Sequence, residues 1–278
     1  MGLRINSNIA SQGVQKNLRE VGKNADNELQ KLSSGKRITK SADDAAGLGI
    51  ATHLEAQTKG LRQATRNAND GISLVQTAEG GLTETSNILV RLRELSVQAA
   101  SDTVGDVERG FLNKEYQQLI TETDRISKST YFNGTSLLSG ESGRGVLEFQ
   151  VGAFAGEQNV IKFDVDETNA TADNIGIASI NVESKDGARD SIEQIDKAID
   201  QVTGQRANLG AIQSRLQSTV STLEVQTINQ DSARSVIQDV DVADSTAKMA
   251  SNNVQRNAAI ATLAQANAIP SMALRLIG

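Results

Sequence analysis

Apolar residues near the start of the chain recur at the spacing of one helix face. They are Val14, Leu18, Val21, Ala25, Leu29 and Leu32, each three or four positions from the next. This period places the side chains along one stripe of an amphipathic helix. Ser33-Ser34-Gly35 follows directly and is typical of a helix end. The pattern therefore predicts a first helix that ends near residue 35.

A longer apolar series begins at residue 50. Its members are Ile50, Leu54, Leu61, Ala64, Ala68, Ile72, Val75, Leu82, Leu89 and Leu92. The spacing predicts one coiled-coil-like helix of many turns, preceded by N-cap candidates in Ser41-Ala42-Asp43-Asp44. Gly71, Gly80 and Gly81 interrupt it, and each costs a helix about 1 kcal/mol relative to Ala. These glycines either permit close packing or weaken the helix locally.

Two further helical patterns can pack against the 50–99 helix. After a break near residues 102–105, helical spacing resumes from Val107 to Ile126, so this segment can fold back on its predecessor. A heptad-like series then runs from Ile192 to Leu223 and matches the 50–99 helix in length and period. We therefore predict a mainly α fold, a long antiparallel helical bundle or coiled coil whose N- and C-terminal helices pair.

The centre of the chain alternates between apolar and polar positions. Leu147, Phe149 and Val151 form one alternating run, and Ile161, Phe163 and Val165 form another, which predicts a small β-hairpin near 140–165. All seven Phe and Tyr residues lie between positions 111 and 163, and there is no Trp. We expect the aromatic residues of the hairpin to cap the bundle and provide one compact core. Residues 166–186 are polar and rich in Gly, Asn and Asp, which predicts a loop.

Charge and composition narrow the possible functions. A net charge of −6 argues against nucleic acid as a partner. Residues 1–40 nevertheless hold eight Lys or Arg against three acids, which suits a membrane surface, an acidic partner or a solvated helix face. The start of the chain lacks the pattern of a secretory signal peptide, and no run is long enough to cross a bilayer. The protein is then cytoplasmic or exported by a route that ignores such signals.

The sequence offers no set of residues suited to catalysis, to a metal or to a cofactor. His53 is the only histidine, so a pair of His ligands is excluded within one chain, and we interpret His53 as a helix-surface residue rather than as a member of a Ser-His-Asp triad. Asp43 and Asp44 are adjacent and point to different sides of a helix, so an N-cap role is favoured over paired acid–base chemistry. We therefore expect no enzyme activity and no cofactor.

Several longer motifs lie in order along nearly the whole chain. They are Leu32-Ser33-Ser34-Gly35-Lys36-Arg37-Ile38, Ala42-Asp43-Asp44-Ala45-Ala46-Gly47, residues 61–72, residues 76–80, Arg93-Glu94-Leu95-Ser96-Val97-Gln98, Phe132-Asn133-Gly134, residues 206–211, and the closing residues 265–278. Together these motifs closely resemble those of bacterial flagellin. The resemblance implies a subunit of the flagellar filament that serves swimming motility. Residues 140–185 are too few for the large central insertion of many flagellins, so the resemblance implies a minimal subunit.

The resemblance also implies that the chain is organised into two domains. Residues 1–44 and 238–278 would form the two halves of an inner terminal-helix domain, and residues 45–237 an outer helical domain. The terminal segments are too weakly apolar to be stable alone, so they would complete their burial against neighbouring copies. The residues expected to carry this subunit assembly are Val14, Leu18, Val21, Leu29, Leu32, Ile260, Leu263, Ile269, Met272 and Leu274.

Partners follow from the same resemblance. It implies export unfolded through the flagellar type III apparatus without a cleaved signal peptide, an extracellular location in the flagellum, and an export chaperone that binds the C-terminal region. Filament cap and hook-junction proteins would contact the polymer. Arg91, Leu95 and Glu115 match positions recognised by the flagellin-sensing toll-like receptor of vertebrates, with an exposed Arg91 beside the apolar Leu95 on one helix face. The same residues could instead make contacts between protofilaments.

Two other functions stay open on the sequence. A hook-filament junction protein shares the terminal helices and differs in remaining monomeric. A coiled-coil adaptor at a membrane surface, using the basic N-terminal helix, belongs to a different class and would pellet with liposomes in a salt-sensitive manner.

Overall fold

A computed structural model describes residues 7–140 and 145–275, with side chains described as far as residue 268. Within these residues the chain forms five α-helices, four short strands and two 3₁₀ turns. The helices are α1 (Ile9–Ser34), α2 (Ala45–Ala99), α3 (Asp106–Ser129), α4 (Lys185–Gln238) and α5 (Val242–Arg275). The strands are β1 (Tyr131–Phe132), β2 (Thr135–Ser136), β3 (Val146–Gln150) and β4 (Val160–Asp164), and the 3₁₀ turns are Glu157–Asn159 and Asp166–Thr168.

Local chemistry explains where α1 ends and α2 begins. Gly35 has a φ of 69°, the left-handed conformation that glycine adopts most easily at a helix C-terminus. The Asp44 carboxylate accepts a hydrogen bond from the Gly47 N–H at 2.8 Å and so caps the start of α2. Hydrogen bonds from the backbone N–H groups of Thr39 and Lys40 lower the pKa of the Asp43 carboxyl. The two adjacent carboxylates therefore serve the backbone, as the sequence predicts.

The helices and the central hairpin pair as predicted. Arg93 Nε on α2 donates a hydrogen bond to Asp196 on α4 at 2.7 Å, and Gly71 approaches Leu216 further along, so the two helices run antiparallel. Strands β3 and β4 are antiparallel, with Leu147 opposite Phe163. Helix α4 begins at Lys185, but its first two turns are mostly polar. The apolar series therefore starts only at Ile192, seven residues after the helix begins.

One small hairpin, formed by β1 and β2, was not predicted from the sequence. Strands β1 and β2 pair antiparallel and are joined by Asn133 and Gly134, whose φ angles are 48° and 76°. Both left-handed angles belong to a two-residue hairpin turn, which favours the Asn-Gly dipeptide. Strands of two residues show no alternation to detect, although the Asn-Gly pair is a usable signal.

The backbone divides into two compact units. One consists of Met1–Gln57 with Asn229–Gly278 and contains α1 and α5; the other consists of Thr58–Ile228 and contains α3 and both hairpins. Both divisions fall inside the long helices α2 and α4, so these two helices contribute to each unit.

The core of the Thr58–Ile228 unit is aliphatic. It is built from fully buried Leu, Ile and Val side chains of α2 and α4, chiefly Leu82, Leu89, Leu92, Leu95, Ile195, Val202, Leu209 and Leu216. The segment predicted as a loop, residues 166–186, has no strand and no α-helix before Lys185, and it adds Ile175, Ile177 and Val182 to this core. They lie singly among polar neighbours, without a period that sequence reasoning could use.

The prediction that the aromatic residues of the hairpin provide the one compact core was wrong, because the core is mainly aliphatic. Tyr116 and Phe163 are fully buried, but Phe111, Tyr131 and Phe154 are 63%, 57% and 58% exposed. Long aliphatic stripes on α2 and α4 already fill the space between the helices, so the remaining aromatics are not required there.

The glycines of α2 fall into two kinds. A Cβ atom on Gly81 would lie 2.6 Å from Cδ1 of Leu138 and 2.8 Å from Oγ1 of Thr130, and one on Gly71 would lie 3.3 Å from the ring of Phe149. A Cβ atom on Gly80 would have no neighbour within 4 Å. Gly71 and Gly81 therefore permit close packing on α2, whereas Gly80 only lowers its helix propensity.

We expect opposite effects from alanine at the two adjacent glycines. Gly80→Ala should raise the free energy of unfolding by about 1 kcal/mol, because it improves helix propensity in open space. Gly81→Ala should lower it by roughly 1–2 kcal/mol, because Leu138 is fully buried and cannot move away without disturbing the core. Urea unfolding followed by circular dichroism measures both values. Equal changes of the same sign would show that the close approach at Gly81 has no energetic consequence.

Candidate assembly site

Helices α1 and α5 form an antiparallel pair within the unit that contains both termini. Near one end of the pair, Asn8 Nδ2 donates to the Ala266 carbonyl at 2.9 Å and Ser11 Oγ to Asn267 Oδ1 at 2.8 Å. The buried residues of these two helices are small: Ser245, Ala266, Ser11 and Ala25 are 4%, 5%, 6% and 9% exposed. Small side chains allow the two backbones to approach closely, but they bury little apolar area.

The larger apolar residues of this pair are covered on one side only. Val14, Leu18, Val21, Leu32 and Leu263 are half-buried. Leu29 is 57% exposed and Ile260 is 51% exposed. Three more of the predicted assembly residues, Ile269, Met272 and Leu274, lie outside the residues whose side chains are described. The described part of the predicted set therefore forms an apolar stripe that a single chain leaves partly open.

Backbone contacts tie the C-terminal end of α1 to the segment before α5. Lys36 and Asp239 form an isolated antiparallel bridge, flanked by hydrogen bonds from Arg37 N–H to the Gln238 carbonyl (2.7 Å) and from Val240 N–H to the Gly35 carbonyl (3.0 Å). Sequence reasoning missed this bridge, because one pair of residues about 200 positions apart leaves no local pattern. The bridge holds together the two segments from which α1 and α5 extend.

A polar groove of about 320 Å³ lies between α1 and α5. Asn24, Asn27, Glu28, Lys31, Lys248, Ser251 and Asn252 line it. Lys31 pairs with Glu28 at 2.8 Å, and Lys248 pairs with Asp244, which raises the pKa of the Lys248 ammonium group. Each lysine is therefore neutralised by an acid on its own helix. The groove offers hydrogen-bonding groups with little net charge.

Between residues 7 and 140 and between 145 and 275, no group of three or more His, Cys, Asp or Glu side chains could hold a metal ion. Over the same residues, none of the helices combines the length and hydrophobicity needed to span a bilayer.

The three residues matched to receptor recognition do not form one exposed surface. Arg91 Nη2 lies 2.8 Å from Glu115 Oε1, and both side chains are about half exposed, at 49% and 46%. Leu95 is only 1% exposed and belongs to the core, so its side chain is not available at the surface of this structure. Four residues rotate a helix by about 40°, which is enough to carry a side chain from a half-exposed edge into the buried face.

Two family models and a full-length relative match this chain. A model of the bacterial flagellin N-terminal helical region covers residues 5–142, and a model of the bacterial flagellin C-terminal helical region covers residues 192–277. A flagellin of Halalkalibacterium halodurans is 38% identical over 273 residues, which span 98% of this chain and 99% of the relative. This chain belongs to the bacterial flagellin family. Only residues 143–191 separate the two matched regions of this flagellin, so it has no large central domain.

Solved structures agree with this membership. The crystal structure of Bacillus cereus flagellin is 29% identical and superimposes with a TM-score of 0.51, covering 57% of this chain and 88% of that one. A Vibrio parahaemolyticus protein assigned to the flagellar hook-associated proteins reaches a TM-score of 0.58 at 15% identity, covering 70% of this chain and 99% of that one. The second likeness shows the fold alone. The fold therefore does not by itself separate filament subunits from hook-associated proteins.

Proposed function

We propose that this flagellin is the structural subunit of a bacterial flagellar filament and serves swimming motility. The observation that carries the proposal is the half-covered apolar stripe on α1 and α5. Leu29 and Ile260 leave about half of their surface to solvent in the single chain. Each further copy of the chain carries the same apolar stripe on its α1/α5 pair. Stripes of neighbouring copies can therefore pack against each other and exclude water.

Burial against neighbours also explains why assembly and ordering of the terminal helices are coupled. Fixing a residue costs about 1–2 kcal/mol of backbone conformational entropy. Apolar area removed from water returns roughly 25 cal/mol per Å², so a helix pair that buries mainly Ser and Ala recovers little of this cost alone. Contact between subunits supplies the missing burial. The family role is structural, and we propose no catalytic activity for the chain.

We place the working protein outside the cell, in the filament. We further propose export in an unfolded state through the flagellar type III apparatus, without removal of a signal peptide. An export chaperone would bind the C-terminal region, which is supported by Val254 and Ile260 on α5 being 68% and 51% exposed. Cap and hook-junction proteins would bind at the ends of the filament, where the subunits lack one set of neighbours.

Seeded polymerisation tests the proposal. Purified full-length protein mixed with sheared filament fragments should grow long filaments that are visible by electron microscopy. A chain that stays monomeric under these conditions would instead be a hook-filament junction protein. Salt-sensitive sedimentation with anionic liposomes, without filaments, would favour the membrane-surface adaptor.

We also propose that the flagellin-sensing toll-like receptor recognises the monomer through Arg91 and Glu115. Their exposed ion pair supports this, whereas Leu95 would act by holding α2 in place from within the core. The Arg91→Ala variant should then weaken the response of receptor-reporter cells. A wild-type monomer without any effect on those cells would exclude receptor recognition.

A further inference from the structure

The turn between β1 and β2 carries a chemically reactive pair, Asn133-Gly134. No other asparagine of the chain is followed by glycine. Both residues are exposed, and their φ angles of 48° and 76° define a two-residue type I′ hairpin turn. Glycine has no Cβ atom, so nothing obstructs attack of its amide nitrogen on the side chain of the preceding asparagine. The pair therefore holds chemistry that the proposed filament role does not use.

The reaction open to this pair is an intramolecular cyclisation. The deprotonated backbone nitrogen of Gly134 attacks Cγ of Asn133, a new N–Cγ bond forms, the Cγ–Nδ2 bond breaks, and Nδ2 leaves as ammonia. Water then opens the five-membered succinimide. Breaking the new N–Cγ bond leaves aspartate, whereas breaking the original peptide bond leaves isoaspartate, whose backbone runs through Cγ and which is the main product. The net reaction consumes water, releases ammonia and needs no oxidant.

The closed hairpin holds the reacting atoms apart. Ring closure requires Cβ of Asn133 and the nitrogen of Gly134 to lie on the same side of the Asn133 Cα–C bond. A type I′ turn sets ψ of its first central residue to about +30°, which places these two atoms on nearly opposite sides of that bond. The pairing of Phe132 with Thr135 keeps the turn in this conformation. Attack therefore has to wait until the hairpin opens.

The fold leaves no room for isoaspartate in this turn. Residues 135–138 are each between 0% and 7% exposed. The Leu137 N–H donates to the Thr130 carbonyl at 3.1 Å, and Thr168 Oγ1 donates to the Leu137 carbonyl at 2.8 Å. Isoaspartate adds one backbone atom to the turn, so the strand register and these buried contacts cannot all be kept. Aspartate is compatible with the turn, because Asp-Gly is itself a preferred type I′ pair.

We propose that Asn133-Gly134 limits the lifetime of the unfolded chain through spontaneous conversion to isoaspartate, and that the hairpin stops this reaction once the chain has folded. This inference rests on the proposed export in an unfolded state, because a chain that waits for export has no hairpin to hold the two reacting atoms apart. A converted chain cannot close the β1–β2 hairpin. It is therefore lost to folding and to assembly.

Ageing the full-length protein in mildly alkaline buffer, both folded and unfolded in guanidinium chloride, tests the proposal. Mass spectrometry of the peptide that contains position 133 should show isoaspartate forming roughly tenfold or more faster in the unfolded sample, because attack is confined to open hairpins. After the denaturant is removed, the converted chains should stay in the supernatant of seeded filaments. Equal rates in the two samples, or converted chains in the filaments at their starting fraction, would overturn the proposal.

Two variants serve as matched controls. Asn133→Gly keeps a preferred Gly-Gly turn but has no side-chain amide, so ageing in denaturant should leave its seeded growth unchanged. Asn133→Asp carries the charge of the deamidated chain without the extra backbone atom and should assemble like fresh wild type. Growth lost equally by aged Asn133→Gly and aged wild type, or lost by fresh Asn133→Asp, would contradict the proposal. If fresh wild type does not polymerise, the proposed function fails, whereas the two ageing rates still test this inference.

Discussion

A chain reduced to residues 45–238 is expected to keep its helical core and to lose assembly completely. The buried leucines of α2, such as Leu82, Leu89 and Leu92, pack within the Thr58–Ile228 unit and do not depend on α1 or α5. The half-covered stripe of the terminal helices is absent from this variant. Circular dichroism should show a cooperative thermal transition, and electron microscopy of seeded samples should show no filaments.

Substitutions within the full-length chain distinguish the effect of losing the apolar stripe from the effect of shortening the chain. The Leu18→Ser, Leu263→Ser variant removes two half-buried apolar side chains from the α1/α5 pair and should abolish or strongly reduce filament growth. The Lys16→Ser, Thr262→Ser variant changes exposed residues of the same two helices and should assemble like the wild type. Stable tubes of normal architecture from the truncated chain would refute the assembly role of the terminal helices.

Loss of the Arg109 side chain is expected to destabilise the Thr58–Ile228 unit by about 3 kcal/mol or more. Arg109 is 7% exposed and lies at the start of α3. Its Nε donates to the Ala99 carbonyl at 2.9 Å, its Nη2 to the Ser101 carbonyl at 3.0 Å, and its Nη1 to Asp106 at 2.8 Å. One guanidinium therefore serves carbonyl groups at the C-terminal end of α2 and anchors the turn into α3.

The Arg109→Ala variant leaves carbonyl oxygens in this turn without their donor. A buried polar group that loses its partner costs about 1–3 kcal/mol, and here more than one group loses it together with the packing of the side chain. Arg125→Ala is the matched control on α3, because the Arg125 side chain is 63% exposed and pairs with Glu122 on the same helix. The control should change stability by less than about 1 kcal/mol. Urea unfolding measures both, and similar values for the two variants would contradict the anchoring role.

The main elements of this flagellin are predictable because their signals are local. The apolar residues of α1, α2 and α4 recur in consecutive helical turns, and apolar and polar residues alternate along β3 and β4. Both patterns can be detected within a short stretch of sequence. Gly35 and Asp44 add chemical signals for a helix end and a helix start at the positions where the structure has them. The antiparallel pairing of α2 with α4 follows from their matched lengths. Family membership follows as well, because long motifs appear in order along the chain.

The sequence predicts that the assembly residues form a stripe, but it does not predict how much of each side chain the partner helix buries. Periodicity shows that Val14, Leu18 and Leu29 share one face of α1. It does not show how much of that face α5 covers, which depends on which small residues, such as Ser11 and Ala266, are buried between the two helices. Leu95 gives the converse case, since a four-residue spacing from Arg91 does not reveal which of the two side chains faces the core.

The sequence by itself determined the long helices, the β3–β4 hairpin, their order and the family, because helix and strand periods depend on neighbours a few residues away. Only the tertiary structure decided which glycine of α2 permits close packing, that Ile175 and Ile177 are core residues, and that Arg109 bonds to the end of α2. Each of these three features depends on contacts between segments that are separated along the chain. Such contacts produce no local pattern in the sequence.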